Sequence, residues 1–283
     1  MALRAKKATA IQKRLKMLMY GGAGVGKTTA AISFPAPYLI DTERGAENAQ
    51  YVELLEKNGG AVFQSSDCED VIAEVRSLLT LKHDYKTLVI DPLTVVYNNM
   101  LDDAALKVGT EFGRHYGEAN KSMKKLLNLL LRLDMNVIIT SHAKKEYGSN
   151  LAVLGQTFDC YKSLDYLFDV VIEIQKTNTT KRNAIVKKSR IKTLEENSCF
   201  EFSYDSLSEK YGRDVIEKEQ KPEQLATQAQ LEEIDNLINV CNIPDETVSA
   251  WLKKAQASSL KDMNSILLQK CIDAYRKKLE VSK

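Results

Sequence analysis

The residues best equipped for chemistry are a glycine-rich run, Gly21-Gly22-Ala23-Gly24-Val25-Gly26-Lys27-Thr28, continuing into Thr29. It fits GxxxxGK[ST] and lies between an apolar stretch and a helical one, as that motif requires. Glycines let successive backbone N–H groups turn inward around phosphate oxygens, at the positive end of a helix dipole. Lys27 would reach the β- and γ-phosphates of a nucleoside triphosphate, and the Thr28 hydroxyl would ligate Mg²⁺. At average glycine usage the pattern arises by chance in roughly one chain in a hundred of this length.

Three further positions carry polar groups at the ends of apolar strands. Thr87-Leu88-Val89-Ile90 ends in Asp91, an acid suited to the water shell of Mg²⁺. Leu39-Ile40-Asp41-Thr42-Glu43 places two acids after the strand that follows the phosphate-loop helix. Glu43 could orient or deprotonate an attacking water, or Asp41 and Glu43 could simply cap a following helix; both readings stay open. Val137-Ile138-Ile139-Thr140-Ser141 ends in His142, where a γ-phosphate sensor or an ordinary surface histidine would fit.

The elements that must position these groups alternate along the chain. Strands are expected at Leu15–Tyr20, Tyr38–Ile40, Ala61–Phe63, Thr87–Ile90 and Asn136–Thr140. Helical spacing appears at Cys68–Leu79 and Ala119–Leu133. That alternation predicts an α/β fold: a mostly parallel sheet flanked by helices. Phe168–Gln175 and Asn183–Lys188, separated by Thr177-Asn178-Thr179-Thr180, predict a hairpin, and Ser198–Tyr204 a further strand. Antiparallel strands therefore close one edge of the core.

The expected organisation is a basic arm at 1–14 (Arg4, Lys6, Lys7, Lys13, Arg14), a core at 15–205, a polar linker at 206–224 and a small three-helix C-terminal domain at 225–283. Thr227 and Asp245 stand where N-caps belong, with Pro244 breaking the chain. The arm reads as frayed and solvated. The 283 residues, 44% hydrophobic and 28% charged, suit a soluble globular protein. A net charge of +2 restricts any nucleic-acid contact to a local patch. Five scattered cysteines form no CxxC pair, which suits reduced thiols in the cytoplasm. No apolar stretch reaches the ~20 residues of a membrane helix.

The order GxxxxGKT, IDTE, VIDP and an apolar strand ending in Ser-His, spread over residues 14–205, resembles the RecA/RadA superfamily of P-loop ATPases. It is most similar to minimal phage RecA-like proteins that anneal single strands. The resemblance implies a RecA-like core that hydrolyses ATP with Mg²⁺, Glu43 as catalytic carboxylate and Asp91 at the metal. His142 stands where many members carry glutamine. It also implies a homo-oligomer, ring or filament, in which a neighbour's late-strand cations reach the nucleotide; Lys188 and Arg190 fit that place, and a solvated basic strand end fits them as well.

The resemblance further implies DNA-stimulated turnover in recombination, with single-stranded DNA held by two loops. Candidates are Lys107, Arg114 and Tyr116 in 107–117, and Lys144, Lys145, Tyr147, Phe158, Tyr161 and Lys162 in 143–163. Cations interleaved with aromatics suit sequence-tolerant binding, and they suit plain surface loops as well. The C-terminal helices could recruit a single-strand-binding protein, contact DNA or merely stabilise the core. The competing reading is a nucleotide-gated ATPase with a protein client, which the modest net charge favours. A small-molecule kinase would need an arginine-rich lid, and the sequence offers none.

Overall fold

The computed structural model describes residues 13–147 and 152–281. The strands are β1 (Lys16–Gly21), β2 (Pro37–Asp41), β3 (Ala61–Gln64), β4 (Thr87–Asp91), β5 (Asn136–Tyr147), β6 (Val153–Phe158), β7 (Val170–Lys176), β8 (Arg182–Ser189) and β9 (Cys199–Glu201). The core helices are α1 (Lys27–Ile32), α2 (Ala49–Lys57), α3 (Cys68–Thr80), α4 (Leu93–Val108), α5 (Arg114–Arg132), α6 (Leu164–Leu167), α7 (Tyr204–Tyr211) and α8 (Arg213–Ile216). A C-terminal bundle follows: α9 (Gln228–Val240), α10 (Asp245–Ala255) and α11 (Ser265–Val281).

Among the described residues the nine strands join one sheet in the order β3-β2-β4-β5-β1-β7-β8-β9, with β6 paired to β5. From β3 through β7 the pairs are parallel, whereas β7–β8, β8–β9 and β5–β6 are antiparallel. The mostly parallel sheet with antiparallel additions matches the expected α/β core. Alternation along β1 explains the layers. Leu18 and Tyr20 face one apolar cluster, built with Val71, Val75, Leu126 and Leu130 of α3 and α5. Met17 and Met19 face the other, with Ala31, Ile32, Phe34 and Ile216. Burying each such side chain is worth about 1.5–3 kcal/mol.

Parallel pairing brings the C-terminal ends of β1, β2, β4 and β5 to one edge of the sheet, so Gly21, Asp41, Asp91 and His142 share that edge. Two structures extend beyond it. One is the outer part of β5 with β6 paired to it. The other is the corner between α4 and α5. α4 leaves from Asp91 at this edge, α5 must descend to Asn136 at the opposite edge, and only residues 109–113 join them. Antiparallel packing follows, with Tyr97 Oη donating to Asn120 Oδ1 at 3.0 Å.

Several expectations need correction. The candidate DNA loops are largely regular structure: Lys107 lies in the last turn of α4, Arg114 and Tyr116 in the first turn of α5, and Lys144, Lys145 and Tyr147 on β5. Phe158 ends β6 and packs edge-on against Tyr20, while Tyr161 packs against Tyr97. Both are partly buried against the apolar core. Lys162 remains exposed in the connection to α6.

The polar segment 206–224 begins as α7 and α8, whose Leu207, Tyr211 and Ile216 are buried in the core. Arg4, Lys6 and Lys7 lie outside the described residues. Arg14 is not solvated: it is 6% exposed, pairs with Asp134 at 3.1 Å and donates to the carbonyls of Val215, Lys218 and Glu219. Thr227 caps α9 as expected, but Pro244 takes the cap of α10 and Asp245 begins its first turn.

Candidate functional site

The glycine run wraps a cavity of about 470 Å³ at the C-terminal edge of the sheet. Gly21, Gly22, Ala23, Gly24, Gly26, Lys27 and Thr28 form one wall; Glu43, Tyr51, Asp91, Pro92, His142 and Ala143 form the other. Gly26 caps α1 in the left-handed region (φ 90°), where a side chain would be strained. A Cβ there would also lie 1.9 Å from Arg182 Nε. Val25 turns its side chain toward the apolar layer, and neither it nor Thr29 lines the cavity.

Lys27 Nζ donates to the carbonyls of Gly21 at 3.0 Å and Gly22 at 2.9 Å, so the loop's own carbonyls hold the ammonium at the cavity wall. Burial lowers its pKa, while Asp91 and Glu43 pull it back up. Asp91 is 9% exposed and accepts from Thr28 Oγ1 at 2.5 Å on one oxygen and from Thr140 Oγ1 on the other. Burial raises its pKa, opposed first by the two hydroxyls and then by Lys27. β5 separates β1 from β4, so the helix that begins at Lys27 supplies the reach from loop to acid.

Asp41 and Glu43 divide the labour that their spacing left open. Asp41 is buried; its Oδ1 accepts from the N–H groups of Glu43 (3.3 Å) and Gly45 (3.2 Å), and its Oδ2 from Ala46 (2.8 Å). Thr42 anchors the same turn to β4, its N–H donating to Asp91 O at 3.0 Å and its hydroxyl to Pro92 O at 2.9 Å. The turn so fixed presents Glu43 outward. Its Oε1 lies 3.0 Å from His142 Nε2, both side chains about half exposed at the rim. A carboxylate held there by an imidazole can accept a proton from water in the cavity.

The oxygen pair of Thr28 and Asp91 suits a hard cation that keeps waters and shares substrate phosphates, as Mg²⁺ does. No cluster of three or more His, Cys, Asp or Glu that could hold a metal by itself occurs among the described residues.

The sequence-nominated trans cations lie elsewhere. β8 runs antiparallel to β7, so Lys188 sits at the sheet edge opposite the cavity. Its ammonium donates to the carbonyls of Asp165 and, at 3.0 Å, Phe168. Arg190 falls just outside β8, so the shared strand face expected of the pair is not formed; it binds Tyr166 O at 2.7 Å and pairs with Asp169.

The cation that the strand pairing does bring to the P-loop is Arg182, at the start of β8. Its Nε donates to Val25 O at 3.1 Å. Nothing in its local sequence signals this, because the contact is made by β1–β7–β8 pairing. Thr140 was legible in principle, as a hydroxyl ending an apolar strand.

A comparison with curated proteins gives no match. A family model described as AAA domain matches residues 13–201, from the arginine-anchored start of β1 to the last strand of the sheet. With the P-loop, the buried acid at the end of β4 and the sheet that joins them all inside that span, the chain belongs to the AAA domain family.

Proposed function

We propose that this AAA domain binds ATP with Mg²⁺ in the P-loop cavity and hydrolyses it in RecA-like fashion, coupling turnover to single-stranded DNA. The observation that carries this is the Glu43–His142 pair at 3.0 Å, on the rim of the cavity that Lys27, Thr28 and Asp91 line. Glu43 would accept the proton of the attacking water, the water oxygen would bond to the γ-phosphorus, and ADP would leave with the β–γ bridging oxygen. Lys27 would face the β- and γ-phosphates. Mg²⁺ at Thr28 and Asp91 would offset phosphate charge.

DNA coupling is supported by position. β5 carries His142 and, farther along, exposed Lys144, Lys145 and Tyr147. A strand bound to β5–β6 therefore pulls on the histidine that holds Glu43. Lys107, Arg114 and Tyr116 stand on the α4–α5 corner beyond the same edge. Lysines neutralise phosphates and tyrosines stack on bases without reading sequence. Assembly into a ring or filament would let a neighbour's Lys188 and Arg190 exchange their present partners for phosphate, so it should depend on nucleotide.

A second reading, a protein client, is favoured by the corner itself. Leu106 and Phe112 are almost fully exposed there, and Asp102, Asp103, Glu111 and Glu118 outnumber Lys107 and Arg114.

ATP turnover with and without single-stranded DNA separates the two. The DNA reading expects turnover to rise with DNA, and Lys144→Gln/Lys145→Gln to lose the rise while keeping basal activity. Binding should weaken with salt at a slope of roughly −0.7 per phosphate contacted. Turnover indifferent to DNA at low salt would instead favour the protein client.

A further inference from the structure

The molecule holds a larger cavity at the edge opposite the P-loop, about 810 Å³, within the range of small-molecule sites. β1 spans the distance between the two: Lys16 at its start walls this cavity and Gly21 at its end walls the other, roughly 17 Å apart along an extended strand.

Six cations line it: Lys13, Arg14, Lys16, Arg132, Arg190 and Lys218. Three are committed elsewhere. Arg14 is held by Asp134 and three carbonyls, and Arg190 by Asp169 and Tyr166 O. Lys16 donates to the carbonyls of Leu130, Leu133 and Met135. These contacts neutralise two of the three lining carboxylates and leave Asp214 as the third. Lys13 and Lys218 are exposed at the cavity's border.

Arg132 is different. Its side chain is 7% exposed, and only Nε has a partner, Glu223 at 3.0 Å. Both terminal nitrogens are buried without a hydrogen-bond partner. That edge has almost no water-accessible surface, so Arg132 lends the cavity wall a fixed positive field rather than a direct ligand contact. Tyr166, 72% exposed, lines the same cavity and offers a ring face.

We infer that this cavity binds a phosphorylated nucleoside, its phosphate received by Lys13 and Lys218 within the positive field of Arg132, and its base stacked on Tyr166. The ligand would be either a free nucleotide or one unit of single-stranded nucleic acid. Within one chain the two cavities share no lining residue.

The test uses the full chain carrying Lys27→Ala, which removes the P-loop contribution. Binding of a fluorescent oligo-thymidylate is followed by anisotropy, and of thymidine monophosphate by equilibrium dialysis. One equivalent of at least one probe should bind. Lys13→Gln/Lys218→Gln, on exposed residues, should weaken it roughly tenfold, and Tyr166→Ala by a similar factor through lost stacking. The chain also carries Lys144→Gln/Lys145→Gln, which removes the proposed β5–β6 contribution, so the binding that remains reports on this cavity. Competition by the monophosphate identifies a free nucleotide as ligand; binding of the oligonucleotide alone identifies a strand. Failure of both probes to bind, or binding insensitive to the Lys13/Lys218 and Tyr166 variants, overturns the inference.

Discussion

Lys16 and Lys27 stand at opposite ends of β1, and both ammonium groups are satisfied by main-chain carbonyls. The carbonyls differ. Those around Lys16 belong to the C-terminal turn of α5 and the start of β5, more than a hundred residues away in sequence. Those around Lys27 belong to its own loop, five and six residues back. A cation tied to remote backbone stitches elements together and cannot leave without loosening the fold. A cation tied to its own loop can exchange carbonyl for phosphate while the sheet stays put. The same contrast separates Asp41, spent on three N–H groups of its own turn, from Glu43, presented to the cavity.

Substitution of the two lysines should therefore divide cleanly. Lys27→Ala should lower ATP turnover by at least ~100-fold, since it removes the cation facing the transferred phosphoryl group, while the thermal midpoint moves little. Steady-state turnover together with a thermal melt checks this. Lys16→Met should do the reverse. It leaves three buried carbonyls without a donor, costing on the order of 3 kcal/mol, and ATP affinity of the folded fraction should persist. Equal damage to both properties by either variant would break the contrast.

Protonation sharpens it further. Burial pushes Lys16 down to about 7, with Asp134 opposing. Between pH 7 and its ordinary value of 10.5, the unfolded chain holds a proton that the folded chain gives up. Stability should thus rise with pH across that window, and below pH 7 the cost of the buried charge is fully present and flat. Denaturant midpoints from pH 7 to 9 should climb in the wild type and climb less in Lys16→Met. An unaltered slope in the variant assigns the effect to other groups. The smallest expected effect is that of His142→Ala. Glu43 remains in place on its Asp41-anchored turn, so turnover should fall several-fold and stimulation by DNA should fall further. A uniform loss of both contradicts the coupling role.

How much of this was legible in the sequence follows from the same distinction between local and remote. The glycine run, the strand ending in Asp91 and the β7–β8 hairpin are written in contiguous residues, and they appear where expected. α4 was not legible: its first turn, Leu93-Thr94-Val95-Val96-Tyr97, is rich in β-branched residues that suit a strand equally well. α7 and α8 hid in a polar composition because only one face of each, with Leu207 and Ile216, is buried. The burial of Arg14 and the approach of Arg182 to Val25 depend on partners more than 100 residues distant, which no local pattern encodes. The Glu43–His142 contact is intermediate. Each residue is marked by its place at a strand end, but their meeting requires β2, β4 and β5 to lie side by side.

The most direct test of the account compares Glu43→Gln with the wild type in two assays: ATP affinity by calorimetry in magnesium buffer, and hydrolysis in single turnover. Affinity should stay within about twofold, because Lys27, Thr28 and Asp91 are untouched, while hydrolysis should drop roughly 100-fold or more as the proton acceptor is lost. Hydrolysis at the wild-type rate by Glu43→Gln would contradict the assignment of the water-activating group.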